Sequence, residues 1–195
     1  MTDSPTIDKT ETVYKGWCRL DRVEVSVRTR DGQPLRLVRE VHDHGSAVAV
    51  LPYDPDRRTA LLVRQLRVPV LLEDGDGHIV EVAAGLLDPD DPHPEAALVR
   101  EAREELGFGL DDLECVGRTY SSPGSLTETL SLYLGTYSHD NRVGPGGGLI
   151  DEGEDIEVLE CPLADLAADA DRGAVRDMKT LLLIQTLRLK KPHLF

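Results

Sequence analysis

Apolar and polar residues alternate early in the chain. Val23, Val25 and Val27 stand between Glu24, Ser26 and Arg28, and Leu35, Leu37 and Val41 follow the turn pair Asp31-Gly32. A period of two puts every second side chain on one face of an extended strand, so this stretch predicts an antiparallel hairpin. Residues 47–51 and 60–63 are apolar throughout and flank the turn signal Tyr53-Asp54-Pro55-Asp56, which predicts a second hairpin of central strands. Further strands are expected over 79–83, 113–120, 129–137 and 156–159. The pattern lengthens to a helical one over 94–106, where Pro94 suits a first turn and Gly107 a C-terminal cap. A short helix over 162–170 and a longer one running to Leu189, with Asp177 as its cap, complete the set. The organisation expected is an N-terminal β-strand region over 1–45 and a main domain over 46–195. Strands in so short a leader are too few to fold alone, so they should dock on the main domain's edge or on another subunit.

Charge narrows the partners. A formal net charge of −14 and a pI near 4.8 argue against nucleic acid and anionic membranes, since both are bound by basic surfaces. No stretch approaches the length of a membrane span, and the polar start lacks the basic and apolar parts of a signal peptide, so a cytoplasmic location is expected. Cys18, Cys115 and Cys161 are isolated and predict free thiols. His42 and His44 have no third ligand nearby and read as loop residues rather than a metal site.

The candidate chemistry sits on the helix expected over 94–106. Glu101, Glu104 and Glu105 fall within an arc of roughly 100° on a helix, and like charges at that spacing repel. A divalent cation with oxygen ligands would relieve the repulsion. A solvated acidic face, with Arg100 paired to Glu104, is the alternative. Arg64 and Arg67 leave a strand in an acidic protein and could grip a phosphate or form surface salt bridges. The glycine run Gly144-Pro145-Gly146-Gly147-Gly148 lacks the spacing of a phosphate loop and reads as a hinged lid. It ends in the acidic cluster 151–155, a solvated turn or a source of a catalytic carboxylate, Glu152 or Glu154. Lys179 is either an exposed helix residue or a nucleotide contact.

From Gly85 to Phe108 the chain resembles the Nudix box, G-x5-E-x7-R-E-U-x-E-E-x-G-U, where U is a bulky apolar residue. The match holds at each fixed position from Arg100 to Gly107. The first half departs: Pro92 stands where the early Glu is expected, Gly85 lies one residue too far upstream, and Asp91 or Glu95 are the substitutes. Together with RQLR, SSPGSLTE, GGGLIDEGEDIEVLE and RDMKTLLL, the box is similar to the GDP-mannose pyrophosphatase branch of the Nudix family, a neighbour of the ADP-ribose pyrophosphatases. The resemblance implies an α+β fold, an α/β/α sandwich with a mixed β-sheet preceded by an antiparallel strand region, working as a homodimer. It implies Mg2+, with Mn2+ as a possible substitute, held by Glu101, Glu105, Glu104 and the Ala84 carbonyl. It also implies Glu152 or Glu154 as base, with Glu104 close by, and substrate contacts from Arg67, Arg64, Glu128 and Lys179. The expected reaction is hydrolysis of the pyrophosphate of a nucleotide sugar, GDP-mannose first and ADP-ribose as the alternative. A non-catalytic nucleotide-binding module stays open beside it.

Overall fold

The computed structural model describes residues 4–88 and 90–195, except for the side chain of Glu152. The chain divides into two compact units, one formed by residues up to Ser46 with Thr119–Leu130, the other by Ala47–Arg118 with Ser131–Phe195.

The first unit holds an antiparallel three-stranded sheet of β1 (Thr6–Lys15), β2 (Arg19–Arg28) and β3 (Pro34–Asp43), in that order. The predicted hairpin is β2–β3, with Val25 opposite Leu37 and Gly32 at φ +77°, a left-handed turn that glycine adopts without strain. β1 was not foreseen in the polar leader, and it is exposed at every position. Residues 119–130 belong to this unit because β3 is bonded to them. His42 N–H donates to the Ser125 carbonyl at 2.8 Å and Thr127 N–H to the His42 carbonyl at 3.0 Å.

The second unit is built on a seven-stranded sheet. β4 (Ala47–Asp54) and β5 (Thr59–Leu66) form the predicted central hairpin, whose turn is set by Asp54 Oδ1 accepting from the amides of Asp56 and Arg57 at 2.9 and 3.0 Å. Beyond the turn the two strands part. β6 (His78–Glu81) pairs with β5, and β7 (Ala83–Leu86) with β4. The full order is β10 (Glu157–Pro162), β5, β4, β9 (Thr129–Thr136), β8 (Asp111–Tyr120). A helix read in the sequence only as strand end and loop, α1 (Val68–Asp74), links β5 to β6 and buries none of its residues.

Helix α2 (Pro94–Glu101) packs Ala97 and Leu98 against Val48, Val50, Leu61 and Val63 of the sheet. α3 (Leu163–Asp171) and α4 (Met178–Lys190) follow β10. α4 buries Thr180, Leu183, Ile184 and Leu187, the i, i+3, i+4, i+7 stripe of a helix with one face inward. The fold is α+β, as expected.

Candidate active site

The acidic run does not finish as an α-helix. After Glu101 the chain forms a π-helical turn, Ala102–Leu106, closed by Gly107 at φ +76°. A π turn carries one extra residue per cycle and releases carbonyls from the helical ladder. The glycine run takes them up: Gly147 N–H donates to the Glu105 carbonyl at 2.8 Å and Gly148 N–H to that of Glu104 at 3.1 Å. A Cβ on Gly146 would lie 2.7 Å from the Glu105 carbonyl oxygen, so only glycine allows this approach. The segment expected to be a hinged lid is therefore stitched to the end of the box.

Glu105 is 1% exposed, and the Ala84 amide donates to its Oε2 at 3.2 Å. Burial, and then the charges of Glu101 and Glu154, push its carboxyl up to about 8. Glu101 is also raised, by burial first, against the pull of Arg100, whose Nη1 is 2.9 Å from Glu101 Oε1 and 3.2 Å from Glu104 Oε2. A Cβ on Gly85 would meet Glu101 Oε1 at 1.9 Å, so the glycine of the box makes room for a carboxylate. Glu154 arrives from the glycine loop, its Oε2 accepting from Leu149 N–H at 3.0 Å. The side chain of Glu152, the other candidate base, lies outside the described residues.

The two arginines of RQLR separate. Three residues apart on a strand, they face opposite sides. Val63 is buried toward α2, Arg64 is exposed and pairs with Glu157 at 3.3 Å, a surface salt bridge, and Arg67 returns to the side of Val63. Glu81 sits opposite Val63 in the ladder and so shares that side. Its Oε1 accepts from Arg67 Nε at 2.7 Å. Burial works against the charge of Arg67, but Glu81, and behind it Glu105 and Glu154, raise its pKa above the usual value. Lys179, expected as an exposed residue or a nucleotide contact, has a side chain only 13% exposed and is paired with Glu81 and Asp177. Glu128 belongs to the N-terminal unit, where its Oε1 lies 3.1 Å from His44 Nε2, and Trp17 stacks on that imidazole at 5.2 Å.

Sequence reading passed over Glu81, although a carboxylate amid Ile79, Val80, Val82 and Ala83 was its own signal. Of the two substitutes for the missing box Glu, Asp91 faces the box, with Oδ2 3.7 Å from Arg100 Nη2. Glu95 turns away to accept from Tyr133 Oη at 2.8 Å.

A family described as NUDIX domain matches residues 43–182. The chain belongs to the Nudix family. It is 37% identical over 183 residues to the GDP-mannose pyrophosphatase of Cronobacter sakazakii, covering 93% of this chain and 94% of that one. It is 34% identical over 190 residues to the GDP-mannose pyrophosphatase of Shigella dysenteriae serotype 1, covering 97% of each. A crystal structure of an ADP compounds hydrolase superposes with a TM-score of 0.77 at 20% identity, over 99% of this chain and 97% of that one, which establishes the Nudix fold. The protein is a Nudix hydrolase.

Nudix hydrolases use divalent cations. Among the described residues no three His, Cys, Asp or Glu side chains form a group that could hold a metal ion. In donor type and charge the site nevertheless fits one: hard carboxylate oxygens, a glycine cradle at Gly85, and a buried carboxyl whose ionisation its neighbours oppose. Arg100 now bridges Glu101 and Glu104, the place where positive charge is wanted. Among the described residues no helix is long and apolar enough to cross a membrane.

Proposed function

We propose that this Nudix hydrolase cleaves the pyrophosphate of a nucleotide sugar, with GDP-mannose as substrate and GMP and mannose 1-phosphate as products. What carries the reading is the pair of GDP-mannose pyrophosphatases that match nearly end to end, joined to a site where an arginine and a set of carboxylates meet in one unit. Glu101, Glu104 and Glu105 hold magnesium, and manganese can replace it. When bound, the cation neutralises phosphate charge that this acidic surface would otherwise repel. Arg67 grips a phosphate through its terminal nitrogens and stabilises charge that builds on it. Glu154, fixed by the Leu149 amide, orients the attacking water and takes its proton. Arg100 braces the box carboxylates and leaves the substrate to Arg67. Retention of every acidic group of the second half of the box weighs against a silent binding module.

The protein works as a homodimer in this reading. Ile7, Val13, Tyr14, Trp17, Leu35 and Val38 are all exposed on the N-terminal unit, apolar side chains that a second copy would cover.

The deciding experiment compares kcat/KM for GDP-mannose, ADP-ribose, GDP-glucose and UDP-glucose with magnesium present. GDP-mannose is expected to lead. A lead of about tenfold or more for ADP-ribose, a full 1.4 kcal/mol of transition-state preference, overturns the substrate assignment.

A further inference from the structure

Glu81 is buried, yet both of its oxygens are claimed by cations. Oε1 accepts from Arg67 Nε at 2.7 Å, and Oε2 accepts from the Lys179 ammonium. A buried carboxylate is tolerated when it is paired, but an apolar side chain of similar volume would fill the same place without the desolvation. Packing therefore gives no reason for a carboxylate here. Neither cation is used up by the pairing. Arg67 spends only Nε on Glu81, and from its two terminal nitrogens no hydrogen bond runs to another described residue. Those nitrogens form the fork that grips a phosphate. Of the three N–H donors of Lys179, one goes to Glu81 and one to Asp177 Oδ1 at 3.0 Å, which leaves the third without an acceptor among the described residues.

The backbone ties the two cations to the box. Asp177 Oδ2 accepts from Thr180 N–H at 2.9 Å as the cap of α4, and Val82 N–H donates to Thr180 Oγ1 at 2.8 Å, so the helix start that carries Lys179 is bonded to the residue next to Glu81. Two residues on, the Ala84 amide donates to Glu105 Oε2 at 3.2 Å. Residues 81–84 thus hold the shared counter-ion, the anchor of α4 and a contact to a box carboxylate within four consecutive positions.

We propose that Glu81 is a positioning residue: without touching substrate, it sets Arg67 and Lys179 at a fixed spacing, so that their spare donors grip the two phosphates of a nucleotide sugar. The inference rests on the pyrophosphatase reading for its ligand. Its geometric content stands apart. One cation alone grips a diphosphate and a monophosphate in the same way, whereas two cations held at a set spacing engage both phosphates of the diphosphate at once. Loss of the spacing should therefore hurt a diphosphate far more than a monophosphate.

Calorimetric titration of the full-length protein with GDP and GMP, or with ADP and AMP if adenine binds tighter, tests this in the presence of magnesium. Glu81→Met removes both acceptors, and it should weaken the diphosphate by about tenfold to a hundredfold, the loss expected from a small misplacement of gripping groups. The monophosphate should weaken by no more than about threefold. Equal losses for the two ligands would mean a general disturbance of the site, and no loss for either would mean that the spacing is set elsewhere; each overturns the proposal. The second readout is kcat/KM on whichever nucleotide sugar the wild type turns over best. Glu81→Met should lower it by at least about tenfold in the wild type, and by no more than about twofold when Arg67→Ala and Lys179→Met are already present, since the residues through which it acts are gone. Effects that multiply would give Glu81 a role of its own, and the proposal fails. If Glu81→Met does not fold, Glu81→Asp serves in its place, because it keeps the charge but is one methylene short of reaching both cations. Should the wild type bind neither diphosphate, the functional reading falls, and the 15N–1H signal of Arg67 Nε, assigned by its absence in Arg67→Ala, decides the rest. Slow exchange with water in the wild type and fast exchange in Glu81→Met would keep Glu81 as the residue that fixes Arg67, and any other pattern refutes it.

Discussion

β4 is buried at all eight of its positions, and β1 is exposed at all ten. The two units handle charge as differently as they handle apolar surface. In the N-terminal sheet the arginines and lysines of the ion pairs lie outside, as with Lys9 and Glu11 at 2.7 Å, both half-exposed, or Arg36, which is 67% exposed and reaches across two strands to a more covered Glu24. Pairs of this kind contribute roughly 0–1 kcal/mol and mainly guide register. In the Nudix unit Glu81 and Glu105 are 2% and 1% exposed. Burying a carboxylate costs several kcal/mol unless it is paired. Glu81 is paired with Arg67 and Lys179, whereas Glu105 makes no ion pair among the described residues, so the burial of Glu105 points to chemistry rather than to stability. The difference can be broken open at both ends.

The largest effect belongs to the box. Glu101→Gln should lower kcat by at least about a hundredfold while the fold persists, since a group that stabilises transition-state charge is commonly worth that much. Gly85→Ala keeps the charge but displaces it, because the added Cβ would stand 1.9 Å from Glu101 Oε1 and a flexible carboxylate gives way before backbone does. It should lose activity in the same direction with an unchanged circular dichroism spectrum. Full turnover in both variants would remove Glu101 from the mechanism.

How much of this was legible in the sequence depends on whether a feature is periodic or geometric. The central strands, the cap at Asp177 and the span of the box helix announced themselves through patterning and local hydrogen bonding. The opposite facing of Arg64 and Arg67 was equally readable, from an odd spacing on a strand. Nothing in the spacing foretold the π turn, because it depends on carbonyls satisfied by a glycine loop some forty residues further on. β1 escaped for the opposite reason. Exposed at every position, it has no amphipathic pattern to read, and the side chains that help tie it to β2, Thr12 to Asp21 and Ser26 to Asp8, are polar.

An intermediate effect concerns pH. Glu105 binds its proton more tightly in the folded protein, where the pKa is about 8, than in the unfolded chain, near 4.5. The stabilisation from this group is full below the unfolded value and is lost as pH rises through the folded one. The metal-free protein should therefore lose stability between about pH 5 and 8, by an upper bound of about 5 kcal/mol at 1.36 kcal/mol per unit. Thermal melts in chelator at several pH values would show the slope, and Glu105→Gln should flatten it. Magnesium should protect more at pH 8 than at pH 5.5, since a cation binds the ionised carboxylate. A wild-type slope matching that of Glu105→Gln would mean that the buried carboxyl is ionised throughout.

The smallest effect on folding, and the sharpest on assembly, is expected at the N-terminal sheet. Ile7 pairs with Val25, and Val25 with Leu37, so an apolar row crosses all three strands, with Leu35 opposite Val27 beside it. Ile7 is 68% and Leu35 43% exposed in the single chain. Exposed positions change stability by about 0.5 kcal/mol or less when mutated, so Ile7→Ser and Leu35→Ser should leave the melting temperature at high dilution almost unmoved. If a second copy covers the row, the same substitutions remove apolar area from an interface and should weaken dimerisation by about tenfold or more, at roughly 25 cal/mol per Å2 of buried surface. Sedimentation equilibrium across the micromolar range separates the two quantities. A wild type that stays monomeric throughout would sink the homodimer. A wild-type dimer indifferent to both substitutions would put its interface elsewhere and leave this apolar row to be explained by some other cover.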